Sequence, residues 1–510
     1  MQVPGLWSDS VLTAAGGAPP ANSARTVAEK VQAARAAGAR TMRAQQRAPV
    51  WRPSFRSFAV AFPLILGATW WVWSHHTGEP GFLGYVTTVV WTLPFLNTVL
   101  GLSGGMLAVR RFRADRRLPP TPAIVSDVLL VVVPTVGRTD TYPALERAVQ
   151  SFCRYLPRYF PKLRVDILTE EDCPAREQIQ TLAAGSAMVR VVTVPRAYQT
   201  PNGTRFKARA NQYAHELRAA EGEARPDVWV LHMDDDTGVG VDTVDRLARF
   251  VNSQWLAGSQ GCHLAQGVLS YPREFGANRL LWLADAVRPG CDISMFAATT
   301  GRGWPRAGLH GELLMIRASV EQEIGWDFGP RSIVEDAEFA LMFCDRHPGR
   351  SDWFAGLSYG ASPTTLTDFV RQRERWAWGL LELVPKSSIP WRQRLLLLHN
   401  VVVWASAPMQ FLGTVLLAGF LLGDTDTFPV TPLVLPIWAA NLSYSIWQYW
   451  EGLKINAAAS ARPGRRWWEP PCVVLLLPLF SLVEAVGLLR GLVRFARNTE
   501  STFSVITKPI

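Results

Sequence analysis

The chain has 510 residues, is 48% hydrophobic and only 18% charged, and contains 21 tryptophans. That balance excludes a disordered or fibrous protein and is oily for a soluble enzyme. The net charge of +10 raises nucleic acid as a partner, but its placement argues against one: Arg110, Arg111, Arg113, Arg116 and Arg117 directly follow an apolar stretch, the pattern of a cytoplasmic membrane flank. Six scattered cysteines without a CxxC pair suggest neither a disulfide framework nor a zinc site, and read as reduced thiols.

Residues 1–50 are rich in Ala, Arg and Gln, lack the apolar core of a signal peptide, and read as a flexible cytoplasmic tail. Residues 55–109 read as a transmembrane hairpin. Its two uncharged runs, 57–74 and 81–109, are each close to or above the ~20 residues needed to cross a bilayer, and Arg47, Arg52 and Arg56 precede the first. Both ends of the hairpin therefore face the cytoplasm, which makes the protein a multi-pass membrane protein, in the plasma membrane if bacterial, with a cytoplasmic middle domain.

That domain, 110–365, has ordinary polar composition. The apolar runs 126–134, 163–169, 187–195 and 227–234 are continuous rather than alternating, as in buried parallel strands, and helical patterns separate them. The expectation is an α/β domain with a doubly wound sheet and ligands at the carboxyl ends of the strands. Residues 366–394 read as interfacial helices and 395–495 as C-terminal membrane or re-entrant helices. Within the latter, 395–423 and 427–450 are spans joined by an acidic outer loop. A basic return carrying Trp467 and Trp468 lies inside, and 471–493, interrupted by Pro478 and Glu484 and followed by Arg490 and Arg494, reads as re-entrant or interfacial.

Three features carry chemistry. Asp234, Asp235 and Asp236 end a buried strand, and three adjacent carboxylates call for a cation: either Mg²⁺ or Mn²⁺ shared with a diphosphate, or solvent around an acidic loop cap. Around Ser332, Glu335 and Asp336 a helix begins, and its carboxylates serve either the helix dipole or a proton transfer from a hydroxyl nucleophile. Residues 371–379 then place cations and indoles before the third span, as an interfacial belt or as part of a site.

In this order, the D-x-D at Asp234 to Asp236, the E-D pair Glu335-Asp336 and the Q-x-x-R-W set Gln372 to Trp376 resemble the family 2 glycosyltransferases with a type A fold, over about 126–380. The ending 503–508 is similar to the F-x-V-T-x-K segment of cellulose-type membrane synthases. Further stretches, Val194 to Tyr198, Phe206 to Ala210, Ser270 to Glu274 and His310-Gly311-Glu312, are similar to the egghead-type β-1,4-mannosyltransferases, although Asp235-Asp236 stands where that group has two glutamates. This resemblance implies transfer of mannose from GDP-mannose to a glucosyl lipid; the alternative is a processive UDP-sugar polysaccharide synthase. A membrane scaffold or transporter would leave the carboxylate motifs unexplained.

The roles then follow from chemistry and strand-end geometry. Asp236 with Asp234 would hold the metal on the leaving diphosphate, and Asp336, beside Glu335, would deprotonate the acceptor for a single inverting displacement. Thr135, Arg138, Glu170 and Asp172 lie where the nucleotide base and ribose bind, with Asp235 beside them. Lys207 and Arg209 would contact phosphate, and Arg375 with Trp376 would close over diphosphate and acceptor. His310, Glu312 and Gln372 belong to the acceptor side.

Overall fold

In the computed structural model, residues 45–498 are described except 47, 48, 50, 77, 116, 120, 424–427, 429 and 465. Most of the expected tail and the 503–508 segment lie outside the described residues. Helix α1 (Arg56–Ser74) and the pair α2 (Phe82–Thr92) and α3 (Phe95–Asp115) form the hairpin. Pro94, with no N–H to donate and a ring that disfavours helix in the preceding residue, divides the second arm. At the foot of α3, Arg111 pairs with Asp352 and donates to the Gly301 carbonyl, so the hairpin is tied to the domain that follows.

The domain runs β1 (Val128–Pro134), α4 (Tyr142–Tyr155), β2 (Leu163–Glu170), α5 (Arg176–Ala184), β3 (Val189–Val194), α6 (Phe206–Ala220), β4 (Val228–His232), β5 (Gly238–Val239), α7 (Val241–Ala257) and β6 (Leu264–Val268). A set of short helical turns across 279–302 follows, then β7 (Leu314–Arg317), α8 (Ala318–Ile324), α9 (Glu335–Arg346) and β8 (Ser351–Tyr359). The sheet order is β3-β2-β1-β4-β7-β6-β8-β5. The four strands read from the sequence are its parallel half, with Val131 flanked by Val165 and Leu231. The other half is mixed: β7 is antiparallel to both β4 and β6, and β6 is parallel to β8.

Both faces of the parallel half are covered, which is why these strands are apolar throughout. Val131, Val133 and Leu231 pack with Leu145, Phe152 and Leu247 of α4 and α7, while Leu130, Val132 and Val230 meet Ala210, Ala214 and Ala318 of α6 and α8. The chain is thus an α/β domain inserted between helical membrane segments. All four parallel strands end on one edge, and Thr135, Glu170 and Asp234 to Asp236 sit at or just beyond their last residues.

Beyond β8 come α10 (Leu366–Leu383), α11 (Trp391–Ala405), α12 (Ala407–Leu421), α13 (Leu435–Ala459) and α14 (Glu469–Ala496). Among the described residues, three helical stretches are long and apolar enough to cross a membrane: α1, α2 with α3, and α14. A fourth is added if α11 and α12, bent by 42° at Ser406, count as one. The expected span 427–450 falls mainly on α13, which is not among them. That helix carries Glu451, hydrogen-bonded to Lys454 and Ser54, and packs largely against protein rather than lipid.

The segment 471–493 is one continuous helix through Pro478, and it lies along α10. Arg273 pairs with its first residue, Glu469, at 2.8 Å, and Arg373 with Glu484 at 2.7 Å. Arg490 and Arg494 pair with Glu374, and Asn498 accepts from Arg331. A Cβ at Gly487 would lie 2.5 Å from the Arg373 Cβ, and one at Gly491 2.8 Å from the Glu374 carbonyl oxygen, so these glycines permit the two backbones to meet. Both ends of α14 therefore touch the side of the molecule that holds the α/β domain.

Candidate active site

The strand-end edge opens into a cavity of about 1470 Å³ that continues between α3, α11, α12, α13 and α14. Every candidate residue named from the sequence lines it except Arg138, whose guanidinium forks onto Asp140 at the surface.

The three aspartates are held apart by different partners. Thr135 donates to Asp235 at 2.7 Å, fixing it against the end of β1. Asp236 is buried near Arg147, whose own charge is disfavoured by burial, to about 10, and supported by that carboxylate. Asp234 accepts from Lys207 Nζ at 2.6 Å. Lys207 also donates to the Gly311 carbonyl at 3.2 Å and lies 3.8 Å from Glu335. Burial works against its charge, but Asp234, Glu335 and Asp336 hold its pKa above the ordinary lysine value. Part of the cation that the aspartate triplet requires is thus supplied by the chain itself.

Glu335 and Asp336 occupy the first turn of α9, with their side chains at the cavity. Burial, and then the Asp336 charge, push Glu335 up to about 7 against the pull of Lys207 and Arg375. Asp336 Oδ1 accepts from the Ala337 N–H at 2.8 Å. Arg375 is half-buried among Glu335, Asp234 and Asp336; desolvation lowers its pKa and these carboxylates oppose the shift. One α10 residue therefore faces both acidic motifs. Gln372 accepts from Arg373 at 2.8 Å, and the Trp376 ring lies under two guanidinium groups, Arg373 at 4.5 Å and Arg288 at 4.7 Å.

Arg209 lines the cavity and is engaged by protein groups. Its guanidinium is forked onto Glu170 at 2.7 Å and donates to the Pro195 and Tyr198 carbonyls, so it organises the wall below β2 and β3. Glu170 is correspondingly engaged. On the opposite wall His310 pairs with buried Asp292 at 2.7 Å and rests on Phe296, 4.4 Å between ring centroids, in a stretch that contains a π-turn. Glu312 accepts from Thr237 at 2.5 Å. Of the three described non-glycine residues with positive φ, two lie here, Phe206 (58°) beside Lys207 and Leu313 (52°) beside Glu312, so backbone strain flanks the site on both sides.

Residues not singled out from the sequence complete it. Arg373 donates to Asp285 at 2.6 Å and to Glu484, joining the turns 279–302, α10 and α14 in one buried network. Arg288 is half-buried among Tyr271, Asp285, Glu312 and Asp292. Isolated charges inside apolar segments, as in Arg288 and Glu484, were the available signal, since such groups are costly unless paired. As to a metal, no three His, Cys, Asp or Glu among the described residues converge on one point. The carboxylates at the cavity wall fit an ion held by one or two of them with substrate phosphate supplying the rest.

Comparison with known proteins bears on this geometry. The profile described as "Glycosyl transferase family group 2" matches residues 229–450, which hold the aspartate triplet, Glu335-Asp336 and the α10 residues. The likeness is to family 2 glycosyltransferases. The β-1,4-mannosyltransferase bre-3 of Caenorhabditis briggsae is 31% identical over 224 residues, 43% of this chain and 47% of that protein. The β-1,4-mannosyltransferase egh of Drosophila melanogaster is 30% identical over 225 residues with the same coverage. The chain thus spans about half the length of the curated relatives it matches. Among solved structures, the mannosyltransferase PcManGT from Pyrobaculum calidifontis, in complex with GDP-Man and Mn²⁺, aligns at 15% identity over 81% of this chain and all of that one, with a TM-score of 0.41.

Proposed function

We propose that the protein is an inverting membrane glycosyltransferase that moves mannose from GDP-mannose to the glucosyl headgroup of a membrane lipid, forming a β-1,4 linkage. The observation that carries this reading is the convergence of Lys207, Asp234, Glu335, Asp336 and Arg375 on one wall of a cavity that runs from the strand ends into the membrane helices. The relatives bre-3 and egh, both β-1,4-mannosyltransferases by name, support the choice of sugar.

The nucleotide lies along the ends of β1 and β2, against Thr135 and Asp172. Lys207 and Arg375 supply fixed positive charge near the diphosphate, placed before the reaction begins. Asp234 and Asp236 are the residues that would hold Mg²⁺ or Mn²⁺, which when bound neutralises charge on the leaving group. The acceptor oxygen attacks the anomeric carbon, its proton passes to the Asp336 carboxylate, and the bond to the β-phosphate oxygen breaks with its electron pair leaving on the diphosphate. A single displacement inverts the anomeric centre and needs only one base.

The test is turnover by purified full-length protein with GDP-mannose, UDP-glucose and UDP-N-acetylglucosamine, with and without divalent ions. Asp336→Asn is expected to retain GDP-mannose binding and lose transfer by at least about a hundredfold, the lower end of what general-base catalysis supplies. Transfer at the parent rate in that variant refutes the base assignment, and absence of donor binding and turnover in the parent refutes the enzyme.

A further inference from the structure

Several cations of the cavity wall are held by the protein's own carboxylates. Lys207 donates to Asp234, Arg209 to Glu170, and Arg373 to Asp285 and Glu484. Arg288, in the turns 279–302, also lines the cavity, yet among the described residues its guanidinium makes no hydrogen bond and no ion pair. The residue is half-buried, and none of its nitrogens is sealed from solvent. A guanidinium has five N–H donors and no acceptor, so a ligand oxygen that reaches it finds bonds the protein has not made.

The surroundings explain why this group stays charged and unclaimed. It lies over the Tyr271 ring at 5.4 Å and the Trp376 ring at 4.7 Å, contacts that orient its plane. Asp285, Asp292 and Glu312 stand around it, but each is engaged by another group. Asp285 accepts from Arg373 at 2.6 Å, Asp292 pairs with His310 at 2.7 Å and accepts from the Leu269 N–H at 2.7 Å, and Glu312 accepts from Thr237 at 2.5 Å. These carboxylates support the charge of Arg288 without occupying its donors.

Its position is beside the acidic motifs. Trp376, on whose ring it rests, follows Arg375 on α10, and Arg375 faces Asp234, Glu335 and Asp336. The charges of Arg288 and Arg375 are near enough to disfavour one another. Two cations brought together at a cavity wall are stabilised by an anion that bonds to both, and the planar N–H fork matches phosphoryl oxygens.

We propose that Arg288 is a direct ligand of a phosphoryl group, gripping the terminal phosphate of the nucleoside diphosphate together with Arg375. The assignment rests on the glycosyltransferase reading above and adds to the donor side of the site a residue from the turns 279–302. A cation fixed there before the reaction offsets the charge that collects on the diphosphate as the sugar leaves. A phosphate carried on a lipid would present the same oxygens from the membrane side of the cavity, so both sources are probed.

Full-length protein in detergent with Mn²⁺ is titrated calorimetrically with GDP and UDP, and the nucleotide that the parent binds more tightly is carried to Arg288→Gln and Arg288→Lys. Arg288→Gln should raise the diphosphate Kd by roughly tenfold to a hundredfold, the value of a hydrogen bond to a charged group, and the Kd of the matching monophosphate by less than about threefold. Arg288→Lys, which keeps the charge without the fork, should fall between. A second measurement needs no variant. Phenylglyoxal should label Arg288 in the parent, read by mass spectrometry, and the nucleoside diphosphate at about ten times its Kd should slow that labelling about tenfold. Slowing by dodecyl phosphate and not by the nucleotide overturns the nucleotide assignment in favour of a lipid phosphate. Labelling that neither ligand slows, or a diphosphate Kd within about twofold of the parent in folded Arg288→Gln, overturns the proposal altogether. A parent that binds neither GDP nor UDP overturns the glycosyltransferase reading itself, a result distinguishable from both.

Discussion

Gly311 sits where the Lys207 ammonium meets the two acidic motifs, and replacing it with alanine tests how finely that contact is set. An added Cβ would lie 2.5 Å from Lys207 Nζ and 3.5 Å from Asp336 Oδ2. Ordinary contact begins near 3.4 Å, so the ammonium must retreat by about 0.9 Å. Lysine is flexible enough to do this without unfolding the domain, but Nζ is only 2.6 Å from Asp234, and a retreat away from that carboxylate lengthens the bond to about 3.5 Å, the edge of hydrogen-bonding range. A hydrogen bond to a charged group is worth about 1.5–3 kcal/mol, which sets the expected loss of transfer at roughly tenfold to a hundredfold. Gly311→Ala is therefore expected to melt at the parent temperature in detergent while kcat/KM with GDP-mannose falls by that amount. A folded variant with kcat/KM within twofold of the parent refutes the claim that the Lys207–Asp234 contact matters to the site.

Two further outcomes concern stability. Glu321 accepts from Arg218 at 2.7 Å, His232 at 2.9 Å and Trp326 at 2.7 Å, all buried, and Arg218 and His232 hold its carboxyl below the usual range despite burial. Glu321→Ala strands the Arg218 charge and should cost about 3–5 kcal/mol, read as a large fall in Tm, whereas a small change means the pair is solvated. Asp242 accepts from the Tyr359 hydroxyl at 2.8 Å and the Leu357 N–H at 3.2 Å, yet burial raises its pKa from 3.8 to about 6. The folded protein then favours the protonated form, so this contribution to stability is full below pH 3.8 and is lost as pH rises to about 6. Asp242→Asn should flatten the Tm-against-pH curve in that window; an unchanged slope refutes the assignment.

The four parallel strands were legible because burial on both faces leaves a continuous apolar run. The antiparallel half was not, since β5 is two residues long and β6, LAQGV, breaks its run with Gln266, whose side chain donates to the Glu312 carbonyl. The acidic motifs announced themselves by clustering. The partners of those motifs did not: that Arg209 serves Glu170 and that Lys207 serves Asp234 depends on where α6 places two side chains two residues apart. In the membrane region, composition identified α1 and the α2–α3 arm, but the span expected at 427–450 falls on α13, which is not among the helices apolar enough to cross. The apolar content of a helix does not reveal whether protein or lipid covers it, and α13 buries Glu451 against Lys454 while the more apolar α14 lies along α10.

The contacts of α13 and α14 bear on how the protein can be divided. Asn456 of α13 accepts from the Tyr271 backbone N–H at 2.8 Å, Ser460 from that of Arg273, and Glu469 and Glu484 neutralise Arg273 and Arg373. A water-soluble fragment ending before α11 would expose each of these groups and strand Asp285 with an arginine missing its second carboxylate. The membrane helices are therefore the outer part of the fold that shapes the cavity, rather than a tether, and the α/β domain is not expected to keep its lower wall when freed from them. Detergent or lipid belongs in any preparation of this protein for the same reason that a solvent belongs in any solution.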